Sequence, residues 1–200
     1  MNITILSFLC LLFFTSQAYG EIGGTARDLE KGALLKQYKF KFSNVNTNEG
    51  SSIYQYAQQG EILNSIEVFL GEDYRIRAQS LMLQSVGRDR QVNSQDLIAA
   101  FLRESSGGKI SSQDADSILR DARKWHHYET KIADFFIKAY FLPLSAAHEF
   151  DPRFKNMEKL IVSISKTDSN EIISSAAKYS EPIVARNESE LAAIGPKREK

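Results

Sequence analysis

The sequence predicts a mainly α single domain, a bundle of six or seven helices with a small N-terminal β-hairpin, behind a cleaved export signal. Three observations predict it. Ser111 to Leu142 reads as one amphipathic helix of about thirty residues, roughly 45 Å at 1.5 Å per residue. Apolar side chains recur at three- and four-residue spacing through 61–86 and 154–177. A helix-start pattern occurs twice, as Asn93-Ser94-Gln95-Asp96 and as Ser111-Ser112-Gln113-Asp114, with the first residue placed to cap and the acid three positions on to reach back.

In chain order, residues 1–20 hold no charged side chain and are almost wholly apolar from Ile3 to Phe14. Ala18 and Gly20 then stand at the minus-three and minus-one positions of a signal-peptidase site before Glu21. The apolar run is shorter than the ~20 residues a spanning helix needs, so no stable membrane insertion is expected after cleavage. Cys10 is the single cysteine. The mature chain is therefore expected to be cysteine-free and secreted or periplasmic, with no disulfide to staple it.

Residues 21–180 form the expected domain and 181–200 a flexible tail. Thr25 can cap a short helix through Leu35. Tyr38-Lys39-Phe40-Lys41-Phe42 alternates aromatic with basic, a strand signal. Ile53-Tyr54-Gln55-Tyr56 can return after the Asn/Gly/Ser loop, which places the hairpin at about 37–57. Two helices are read in 61–86, with Gly71 ending the first. Pro143 stops the long helix, and Phe154, Met157, Leu160, Ile161 and Ile164 mark another.

Formal charge balances, 25 basic against 25 acidic residues. A chain without excess positive charge lacks the electrostatic basis for nucleic-acid binding, and none is expected. No cofactor or metal is expected either. The acids at Asp96 and Asp114 have no carboxylate at the first ligand position of a calcium loop. Gly-x-Ser-x-Gly and His-Glu-x-x-His are absent from the sequence.

Two places on the long helix could carry chemistry. On a 100° wheel Ile118, Ala122, Trp125, Ile132, Phe136 and Tyr140 share about 80° of arc, and Glu129 falls inside it. His126, one turn earlier, could form an acid–base pair with Glu129, with His148 as a further candidate. Phe135, Phe136, Tyr140 and Phe141 crowd the helix end, and these, with Tyr38, Phe40 and Phe42 of the hairpin, are the candidate binding residues. By elimination the expectation is an exported protein that binds another protein, as an inhibitor, immunity-type protein, chaperone or secretion and assembly factor, rather than an enzyme. A small hydrolase using His126 and Glu129, or a carrier of an apolar ligand, are the alternatives.

Overall fold

In the computed structural model the described residues are 20–48, 50–58, 64–85, 91–142 and 158–168. They build a seven-stranded antiparallel sheet and four helices, which overturns the helical-bundle expectation and the all-α reading with it. The elements are α1 (Ala26–Lys31), α2 (Ala33–Gln37), β1 (Phe40–Asn48), β2 (Ser51–Gln58), β3 (Ser65–Leu70), β4 (Ile76–Ser85), α3 (Gln91–Ser105), α4 (Ser112–Trp125), β5 (His127–Ile132), β6 (Phe135–Leu142) and β7 (Glu158–Ser165). The sheet order is β1-β2-β3-β4-β7-β6-β5, so β1 and β5 are its two edges among the described residues.

The long helix breaks at His126. That residue adopts the left-handed conformation, φ 61°, and ends α4 just after Trp125. His is among the residues that tolerate this region. Beyond it, His127-Tyr128-Glu129-Thr130-Lys131-Ile132 runs as β5, turns over Ala133 and Asp134 with Ala133 at φ 52°, and returns as β6. The largely apolar runs 135–142 and 160–164 lack strand alternation and so match a helix. They lack it because the inner strands are buried on both faces, and a strand covered on both sides is close to continuously apolar. The two helices expected in 61–86 are accordingly β3 and β4, joined by a turn in which the Gly71 N–H bonds the Arg75 carbonyl at 3.0 Å. The helix expected from Phe154 gives way to β7 over Glu158–Ser165. The expected helix at Ile172–Ala177 and the tail 181–200 lie outside the described residues.

The alternation at Tyr38–Phe42 does lead into a strand, and β1 pairs antiparallel with β2. The pair is the outermost part of the sheet rather than an appendage on helices. Local capping follows the sequence closely. Thr25 and Asp28 form a capping box on α1, and Ser111 and Asp114 form one on α4. These bonds stabilise the ionised acids and hold the Asp28 and Asp114 carboxyls below the usual range. The start of α3 falls at Gln91, two residues ahead of the expected cap Asn93.

The helices pack on one face of the sheet. Leu29, Leu34, Leu97, Ile98, Phe101, Leu102, Ile118 and Ala122 share a single core with Tyr56, Ile66, Val68, Leu81, Phe135, Ile137, Val162 and Ile164. Gly32 lies between α1 and α2, where α3 comes closest. A Cβ there would stand 2.1 Å from Glu104 Oε1. With no side-chain cap of its own, α2 uses the Glu104 carboxylate, which accepts the Leu34 N–H at 3.0 Å. Burial nevertheless pushes the Glu104 carboxyl above its ordinary range.

Candidate functional site

Strand alternation separates the expected residues into two groups. At the β5–β6 end, consecutive residues point to opposite faces, so the two histidines clasp the end of β6 from both sides. His126 stacks on Phe141 at 6.2 Å on the helix side. His127 stacks on Tyr140 at 4.7 Å, with the rings 6° from parallel, on the second face. Glu129 is also on the second face, and its partners are His127 Nε2 at 3.0 Å and Lys138 Nζ at 3.5 Å. The helical spacing that would have joined His126 to Glu129 does not exist here. The His126 Nδ1 atom is buried and has no hydrogen-bond partner among the described residues. His148 lies outside the described residues.

The aromatic residues at this end divide in the same way. Phe135 and Tyr140 are buried, and Phe136 and Phe141 are half-buried. The Lys131 ammonium sits 4.7 Å from the centre of the Phe136 ring. Trp125, expected on the apolar stripe, is 53% exposed, while Ile118 and Ala122 of the same stripe are buried.

Sequence reasoning did not find the polar row that crosses the second face. Cross-strand register lines up Gln55, Glu67, Ser80, Ser163, Lys138 and Glu129. The Gln55 amide donates to Glu67 at 3.0 Å, the Ser80 and Ser163 hydroxyls bond each other, and Lys138 also meets Asp168 at 3.4 Å. Glu67, Ser80 and Ser163 are buried. Lys159, close by, has its pKa lowered by burial, against the opposing pull of Glu67. Buried polar groups are tolerated when paired, and this row is knitted across six strands. Ser163 and Lys138 each interrupt a largely apolar strand, but β2, β4 and β5 hold several polar residues and do not single out their members. Assembling the row requires the register, which no local pattern supplies.

At the β1 end the arrangement differs. Tyr38 is half-buried just before β1 and Phe40 is buried. A bulge between Phe42 and Asn44 then shifts the register, and Phe42 and Val45 both come to the helix-side face. There they are 52% and 41% exposed. Phe42 touches Tyr54 at 6.0 Å and Tyr56 at 5.9 Å. An open groove of about 180 Å³ lies beside them, lined by Glu30, Leu35, Lys36, Phe40, Phe42 and Tyr56. The Tyr56 hydroxyl donates to Glu30 at 3.2 Å, and burial together with that carboxylate pushes the phenol pKa up.

Among the described residues no group of His, Cys, Asp or Glu side chains is placed to hold a metal, and no helix is long and apolar enough to cross a membrane. The fold defines an α+β domain with helices on one face of an antiparallel sheet. No protein-family model, curated protein or solved structure matches the chain.

Proposed function

We propose that this is an exported, non-enzymatic binding protein that engages another protein through the β1 edge and the aromatic surface beside it. One observation carries the reading: an edge strand places two large apolar side chains, Phe42 and Val45, on one face and leaves both exposed. An edge strand offers unpaired backbone groups to an incoming strand, and alternate side-chain contacts then give selectivity. The groove supports the same reading by its size. At about 180 Å³ it is below the ~300–1,000 Å³ typical of small-molecule sites, but it can seat one side chain of a docked segment. At this groove an apolar ligand of the usual size is less well accommodated than a side chain. The hydrolase alternative loses its proposed pair, because Glu129 bonds His127 and not His126.

The test is affinity capture from the native compartment, with the double variant Phe42→Asp, Val45→Asp run beside the natural chain. A partner held in fixed stoichiometry by the natural chain should be lost from the variant while the circular-dichroism spectrum is unchanged. Retention of the partner by a folded variant would remove the β1 surface from the proposal.

A further inference from the structure

Gly20 is built into the fold. The residue is buried, with φ +91°, and a Cβ in its place would meet Leu29 Cδ1 at 2.6 Å. Its carbonyl accepts a short hydrogen bond from the side-chain amide of Gln79, which is 0% exposed and whose own oxygen accepts from the Ser105 hydroxyl at 3.1 Å. The following residues continue the attachment. Ile22 is buried and donates to the Ser105 carbonyl at 2.9 Å, Gly23 donates to Ile76 at 2.8 Å, and Ile76 donates back to Gly24 at 2.9 Å. A cut between Gly20 and Glu21 would remove the acceptor from a fully buried amide and place a charged ammonium group beside it.

We infer that the export signal is cut two residues earlier, by hydrolysis of the Ala18–Tyr19 peptide bond, and that Gly20 stays with the domain. The inference rests on the export reading of the first residues. Ser16 and Ala18 supply small side chains at the minus-three and minus-one positions, as a signal peptidase requires. Water provides the oxygen of the new Ala18 carboxylate and the protons of the new Tyr19 amine. Gly20 is then glycine because of its positive φ and the close approach of Leu29, not because a peptidase reads it.

The full chain, expressed with its own leader and recovered from the exported fraction, is analysed by intact mass and N-terminal sequencing. The expected species begins at Tyr19. The variant Ser16→Leu should abolish processing and accumulate the precursor, whereas a cut after Gly20 would read Ala18 at minus-three and be indifferent to it. Because Ser16 is discarded, this variant cannot act through the stability of the domain. A species beginning at Glu21 would overturn the inference and leave export standing. A full-length product in the natural chain would overturn both.

Discussion

The two edges of the sheet are made differently. At β5 the helix-side residues Tyr128 and Ile132 are packed against the core, and the second-face residues are engaged: His127 on Tyr140, Glu129 on Lys138, Lys131 over Phe136. An edge carrying charges that already have partners is poorly suited to pairing with another chain. At β1 the core ends at Phe40, and on either side of the bulge the strand carries Phe42 and Val45 into solvent. One edge is closed by its own side chains and the other offers an apolar surface. This contrast is what favours β1 over β5 for the proposed binding surface.

The contrast can be broken by stability measurements. Phe135→Ala, which removes a fully buried ring at the start of β6, should cost about 3–5 kcal/mol in urea unfolding. Ser111→Ala removes the capping box from α4, which lies under the β5–β6 end, and should cost about 1 kcal/mol by the same measurement. Phe42→Ala should cost about 1 kcal/mol or less, since only its edge contacts with Tyr54 and Tyr56 are lost. A loss at Phe42 equal to that at Phe135 would mean that β1 belongs to the core and that the edges do not differ.

The smallest effect sharpens the picture of the groove floor. Glu104 caps α2, which contributes Leu35 and Lys36 to the groove. Its carboxyl is raised in the folded protein, so the folded state binds the proton more tightly than the unfolded chain. Stability from this group is therefore complete below the ordinary glutamate range and declines as pH rises through the folded value. Glu104→Gln should flatten that decline in thermal melts recorded from pH 4 upward. An unchanged pH slope would show that the carboxylate is ionised in the fold at no cost.

The helix caps were legible because they are local: Thr25 with Asp28 and Ser111 with Asp114 lie within one turn, and both boxes form. The β1 strand was legible because it stands at an edge, where alternation survives. The inner strands β6 and β7 were not, because Phe135-Phe136-Ile137 and Leu160-Ile161-Val162 are apolar on both faces, and any dense apolar run yields a stripe on a helical wheel. Their β-branched and aromatic content was the available counter-signal. His127 to Ile132 also alternates polar with less polar residues, a period of two that the helical reading passed over. Of the candidate site, Phe42 was named from sequence. The polar row and the His127–Glu129 bond were not, since both depend on which strands become neighbours.

One feature of the sheet order bears on when the molecule can fold. β7 lies between β4 and β6, and its partners in β4 are between 73 and 87 residues away in the chain. Strands β1 to β4 form a meander of neighbours, and β5 with β6 forms a hairpin, so both halves can begin to assemble as they emerge. They cannot be joined until Glu158–Ser165 has arrived. A chain made from its N-terminus thus holds two unjoined halves, and its sheet closes only once Glu158–Ser165 is available.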